Sequence, residues 1–198
     1  MYPESIKKVV EGFKLLPGIG EKTAERLAFY MLGMSHEQIN SFSSNLEFMK
    51  EKIHRCPVCN NYTESEKCFI CSNDGRDNNL LCIVEDPKSI YIFEKTGIYN
   101  GNYHVINNLI SPLDGISPED IGIEKLIKRI KDNKPKEVII AVRPSIEGET
   151  TSLYIKKILE DMDIKITRLA SGLPIGAEME YIDAMTLERA LIDRKTIE

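Results

Sequence analysis

The chain lacks what would place it in a membrane or make it a nucleotide-driven motor. No apolar run in its 198 residues approaches the roughly 18 that a helix needs to cross a bilayer. Its start, Met1-Tyr2-Pro3-Glu4-Ser5, has neither a basic leader nor an apolar stretch, so no signal peptide is expected. No G-x-x-x-x-G-K-S/T occurs anywhere, which leaves ATP hydrolysis by this chain alone unsupported. A surplus of positive charge is missing too. The net charge is −5, with 10 basic and 11 acidic side chains in residues 1–79 and 16 and 20 in residues 80–198. A bulk polycation is thereby excluded. Any nucleic-acid contact must be local, made by a few placed groups or by an assembly. At 42% hydrophobic and 29% charged residues the chain can still build one large domain or several small ones.

Cysteine is scarce as well, yet four of the five fall within residues 56–71. Cys56-Pro-Val-Cys59 is followed, after eight residues, by Cys68-Phe-Ile-Cys71. Each C-x-x-C turn is tight enough to aim two sulfurs at one point, and the intervening loop lets the second pair close a tetrahedron. The spacing therefore suits a zinc ion held by four thiolates. Two redox dithiols or two disulfides are the competing reading, although a redox C-x-x-C normally stands alone beside a βαβ unit. The segment between the pairs, Asn-Asn-Tyr-Thr-Glu-Ser-Glu-Lys, is too polar to build a core of its own. Metal binding would supply its folding free energy, about 10–16 kcal/mol on the zinc-finger scale. With two acids and one base, that segment is also poor chemistry for touching phosphate. One structural zinc per chain is expected, held by Cys56, Cys59, Cys68 and Cys71. The fifth cysteine, Cys82, lies in Leu80-Leu81-Cys82-Ile83-Val84 and reads as a buried small hydrophobe. This usage fits a reducing cytoplasm.

Upstream, Ser5 to Leu15 has the period of an amphipathic helix with Ile6, Val9, Val10 and Phe13 on one face. Leu16-Pro17-Gly18-Ile19-Gly20 breaks it. A second helix starts at Glu21, with Ala24, Leu27, Ala28 and Met31 as its apolar face, and a third runs from Ser35 to about His54. Ser35 and Gln38 make a capping box for the third. Residues 16–27 resemble the helix-hairpin-helix motif of DNA-binding proteins. Gly18 and Gly20 permit a tight turn and close backbone approach. The hairpin amides and the start of the second helix then face outward as an anion site, which suits a phosphate backbone without reading bases. Ile19 packs inward. Lys22, Thr23 and Arg26 stand on the first turns of the second helix, with Lys22 and Arg26 on one face. The competing reading is a plain packing unit whose glycines only make the turn.

Downstream the pattern alternates. Strands are expected at 80–85, 103–106, 137–142 and 164–170, and helices at 89–95, 118–133 and 150–162. Such alternation implies βαβ units and a mostly parallel sheet, which binds ligands outside the carboxyl ends of its strands. Acids gather there: Glu85 after the first strand, then Glu147-Gly148-Glu149 after the strand ending at Val142. Such carboxylates could hold magnesium. The arrangement resembles the Toprim domain, with Glu-Gly-Glu in place of its Asp-x-Asp. No tyrosine is plainly placed as a topoisomerase nucleophile, and no base is assignable to primer synthesis. Magnesium is therefore possible but not expected to be catalytic, and Glu85, Glu147 and Glu149 read better as a partner or fold-stabilising surface. The tail, Leu173-Pro174-Ile175-Gly176-Ala177-Glu178-Met179-Glu180-Tyr181 and onward, begins as a loop, superficially resembles the end of a Walker B element, and closes as an amphipathic helix.

The order of these modules resembles the RecR family of bacterial recombination mediators over essentially the whole chain. The segments that carry it are Leu16–Leu27, Cys56–Arg76, Leu81–Glu85, Tyr103–Gly115 and Arg168–Asp183. Two departures are Arg143, where the family more often has asparagine before the proline, and Ala177, near a usual glycine. The fold class so implied is α+β and multidomain: a helix-hairpin-helix domain over 1–55, a four-cysteine zinc finger over 56–79, a Toprim-like domain over 80–175 and a C-terminal tail over 176–198. The resemblance implies a DNA-binding, non-enzymatic mediator in the cytoplasm, at the nucleoid. Such proteins act with RecO-type and RecF-type partners to help load RecA onto single-stranded DNA. A ring-shaped homotetramer is implied, with Gly18, Gly20, Lys22, Thr23 and Arg26 on single- or double-stranded DNA and the Toprim-like acids docking RecO. Two alternatives stay open: a magnesium-dependent nuclease or topoisomerase-like enzyme using the same acids, and a pure assembly scaffold.

Overall fold

The computed structural model describes residues 2–170, 172–194 and 196. It divides into two compact units, Met1–Ile53 and His54–Glu198. The first holds helices α1 (Glu4–Lys14), α2 (Glu21–Leu32) and α3 (His36–Lys52). Val10 of α1 is buried against Ala24 and Ala28 of α2, with Ile6, Phe13 and Ile19 packed around them. The two alanines make this contact narrow. Val9, expected on the apolar face, sits at the edge of the stripe and stays 44% exposed. Helix α3 opens with the expected capping box: Ser35 Oγ accepts from the Gln38 amide and Gln38 Oε1 accepts from the Ser35 amide. None of its residues is buried.

The second unit begins with the cysteine segment, where β1 (His54–Arg55) and β2 (Tyr62–Thr63) pair antiparallel around the first knuckle. A sheet of four parallel strands follows, ordered β4 (Gly101–Val105), β3 (Asp77–Val84), β5 (Glu137–Ala141), β6 (Lys165–Arg168). Helices α4 (Pro87–Thr96), α5 (Ile123–Asn133) and α6 (Ile146–Ile158) connect them, and α7 (Ala184–Ile192) lies in the tail. Strand side chains alternate between faces. Leu81, Ile83, Val138 and Ile140 join Leu126, Ile130 and Ile155 in one core. Cys82, Val84, Tyr103, Val105 and Ala141 join Ile90 and three of the motif cysteines in another. The parallel sheet expected from the strand–helix alternation is present, and a core covers each of its faces. Cys82 is buried as expected. Two helix starts differ from expectation by a full turn or more. Helix α5 starts at Ile123 instead of Pro118 because Gly122, at φ +71°, turns the chain immediately before it. Helix α6 starts at Ile146 instead of Thr150 because Ser145 caps it, accepting from the Gly148 amide. Among the described residues no helix is long and apolar enough to cross a membrane.

Candidate metal centre and nucleic-acid interface

Cys56, Cys59, Cys68 and Cys71 form the tightest ligand set among the described residues, their sulfurs all lying within 4.8 Å of one another. None is in a disulfide. Four sulfurs about 2.3 Å from a zinc ion stand about 3.8 Å apart along a tetrahedron's edges, and Cys59 Sγ and Cys68 Sγ are 3.4 Å apart. Backbone amides serve the sulfurs: Asn61 N–H points to Cys59 Sγ at 3.5 Å and Cys68 N–H to Cys56 Sγ at 3.4 Å. Without a cation the crowded thiols titrate against each other. Hydrogen bonding between Cys59 and Cys68 holds the Cys68 pKa far below, and the Cys59 pKa far above, the thiol range. Only a divalent cation lets all four ionise together. Geometry and chemistry both fit zinc, and the four cysteines form a zinc-binding site.

The knuckle is fastened to the sheet. Cys59 C=O accepts from the Val105 amide at 2.9 Å, and Asn60 Nδ2 donates to Val105 C=O at 3.0 Å. Beyond the last cysteine, Arg76 reaches into the sheet. Its guanidinium forks onto Glu94 at 2.7 and 3.0 Å, its Nε donates to Gly101 C=O, and the Tyr103 hydroxyl donates to the same Glu94 at 2.8 Å. This triad was missed from sequence. Arg76 and Glu94 lie 18 positions apart and each alone reads as a surface charge.

In the first unit the turn between α1 and α2 uses Gly18 at φ +79°, a conformation other residues rarely adopt. Gly20 is the N-cap of α2 and supplies no side chain, so no side-chain oxygen occupies the first amides. Lys22 and Arg26 are exposed beside them, and Thr23 is half-buried. Lys14 bridges Glu11 at 2.9 Å and Glu21 at 2.8 Å, which removes one acid from competition with an anion at this end.

The acids past the strand ends are not brought into one cluster. Glu85 and Glu147 line a cavity of about 530 Å³ with Asp86, Asp114 and Arg143. Arg143 Nε stands 3.6 Å from Glu85 Oε2, and Glu147 accepts from Ser145 Oγ at 2.6 Å, a bond that holds its pKa down. Glu149 points into a separate cavity and pairs with Arg168 at 2.9 Å and with Arg189 of α7 at 3.4 Å. Gly148 between them is required, because a Cβ there would run into the Arg143 carbonyl oxygen. Among the described residues no three carboxylates converge within 4.8 Å, and Arg143 lines the cavity beside Glu85 and Glu147.

On the opposite face from the zinc, Arg129 of α5 is buried and donates to the Tyr103 carbonyl, with His104 Nδ1 at 3.4 Å. Burial first, then Arg129 and Lys125, push the His104 pKa down to about 3. Nothing in the sequence marked this pair.

A helical hairpin, a four-thiolate zinc site and a four-stranded parallel sheet in one chain define a class, the multidomain zinc-binding α+β proteins. Comparison with protein families makes it particular. The RecR helix-hairpin-helix model matches residues 6–49, the RecR four-cysteine zinc finger domain 53–73, the Toprim domain 79–170, and the RecR C-terminal model 172–195. The chain belongs to the RecR family. It is a zinc-finger recombination mediator of DNA repair.

Proposed function

We propose that this chain binds the DNA backbone through Gly18, Gly20, Lys22, Thr23 and Arg26, and acts with RecO-type and RecF-type proteins to help load RecA onto single-stranded DNA. The observation that carries the reading is the end of α2: uncapped amides behind a left-handed glycine, with Lys22 and Arg26 exposed beside them. Such an end holds phosphate without reading sequence. Two cations per chain are few, so a ring-shaped homotetramer would repeat them around one channel and reconcile DNA binding with a net charge of −5. The modules act as a hairpin domain over 1–55, a zinc finger over 56–79, a Toprim-like domain over 80–175 and a tail over 176–198. Glu85 and Glu147, with Glu149 to one side, serve as the docking surface for a basic RecO-type partner. Their role is recognition and not catalysis, at the nucleoid in the cytoplasm.

The test is a salt titration of DNA binding. Lys22→Ala with Arg26→Ala removes two phosphate contacts per chain. The slope of log K against log salt should shrink by about 1.8 on duplex and about 1.4 on single strands for each chain engaged, with the zinc content unchanged. An unaltered slope overturns the assignment. A magnesium-dependent cleavage product that Glu147→Gln abolishes would overturn the non-enzymatic role.

A further inference from the structure

Beside the zinc site lies an exposed aromatic surface that the reading above leaves unused. Phe69, between the second pair of cysteines, is 53% exposed, and Tyr91 of α4 is 41% exposed. Their ring centroids are 6.0 Å apart at a 34° tilt. Tyr62 on β2 is 41% exposed, with one ring face covered by the Arg55 guanidinium at 4.4 Å and the other left free. Asn61 joins the two halves. It is fully buried, its Oδ1 accepts from the Tyr62 amide at 2.8 Å, and its Nδ2, left without a hydrogen-bond partner, neighbours the Tyr91 hydroxyl. Along α4, exposed Lys88 and Lys95 stand three residues before and four after Tyr91, on the same face.

Open aromatic faces flanked by cations are what single-stranded nucleic acid requires. Bases stack on the rings whatever their identity, and the phosphates follow the charges. Duplex DNA, with its bases already stacked, gains nothing from the rings. Glu64 and Glu66 sit on the loop after Tyr62, so the phosphates must run on the α4 side, past Lys88 and Lys95.

We propose that Phe69 and Tyr91, with Tyr62, Arg55 and the two α4 lysines, form a second nucleic-acid contact: a platform that stacks bases of single-stranded DNA. This rests on the DNA-binding reading of the hairpin, and adds the discrimination between single strand and duplex that phosphate contacts cannot supply.

The experiment uses the full zinc-loaded chain and fluorescence anisotropy with three probes of equal phosphate count: oligothymidine, the same strand with abasic sites, and a duplex. Wild-type protein should bind the abasic strand about tenfold more weakly than oligothymidine. Phe69→Ala with Tyr91→Ala should lose a similar factor on oligothymidine and nothing on duplex, while Tyr91→Phe keeps full affinity. The hairpin variant should weaken on all three probes. Equal binding of wild type to abasic and normal strands overturns the platform while leaving the hairpin reading intact. Parallel loss on duplex by the aromatic variant also overturns it. An unaffected hairpin variant overturns the hairpin reading alone.

Discussion

Replacing Glu94 tests whether the clasp between the knuckle's exit and the sheet is a stabilising element. In the native protein the Arg76 side chain is 7% exposed and that of Glu94 is 23% exposed. Glu94→Ala deletes both guanidinium bonds and the bond from the Tyr103 hydroxyl, and leaves the guanidinium with the Gly101 carbonyl. The pair is part-buried, and losing hydrogen bonds between charged partners costs about 1.5–3 kcal/mol. At about 2–4 °C per kcal/mol for a chain of this size, the melting temperature should fall by about 3–12 °C. Tyr103→Phe removes one hydroxyl donor to a carboxylate and should cost about 1.5–3 kcal/mol. The double variant should cost less than the sum, since both act on one carboxylate. The pH dependence has a defined sign. Burial works to raise the Glu94 pKa, but Arg76 and then the Tyr103 hydroxyl overcome it and hold the carboxyl below its ordinary value. A depressed folded pKa gives a contribution that is complete above the unfolded value, about 4.3. It is lost as pH falls through the folded value. Glu94→Gln should therefore flatten the acid limb of stability as well as lower its plateau. Calorimetry from pH 7 to pH 3 reads both. A cost for Glu94→Ala below about 1 kcal/mol, or an acid limb that Glu94→Gln leaves unchanged, would refute the assignment.

Chelation, followed by a colorimetric zinc assay and circular dichroism, should release one zinc per chain and unfold the knuckle, because an apparent binding energy of about 10–16 kcal/mol exceeds what a short polar loop can replace. Cys56→Ser should do the same, and a metal-free chain with unchanged melting would refute it. His104 predicts a second acid sensitivity. Its folded pKa of about 3 lies below the unfolded value, so the unfolded chain alone gains a proton as pH drops. Stability, complete above about pH 6.5, should then fall by about 1.4 kcal/mol per pH unit towards pH 3. His104→Gln should remove that slope in urea titrations at pH 6.5 and pH 5, and identical slopes would count against it.

What the sequence made legible was chemistry confined to neighbours in the chain. The cysteine spacing carries its own geometry, so the zinc site followed from sixteen residues, 56–71. The Ser35–Gln38 box and the apolar runs that became β3 and β5 were equally local. Contacts across elements were not. Glu147 and Glu149 look like one acidic group in sequence, but α6 begins between strand end and acids, and two residues of helix, about 200° of rotation, send them to different cavities. Arg129 drew no reading from sequence, since nothing in a helical period reports a carbonyl waiting beneath it. Phe69 drew no reading from sequence, because its neighbouring ring, Tyr91, comes from α4.

The bond from the Val105 amide to Cys59 and the bond from Asn60 to the Val105 carbonyl lie on the outer side of β4, the terminal strand of the sheet. An uncovered terminal strand offers unpaired donors and acceptors to any extended chain that drifts past. The knuckle satisfies both backbone groups of Val105 at the carboxyl end of this terminal strand, so unfolding the knuckle would bare them to any other extended chain.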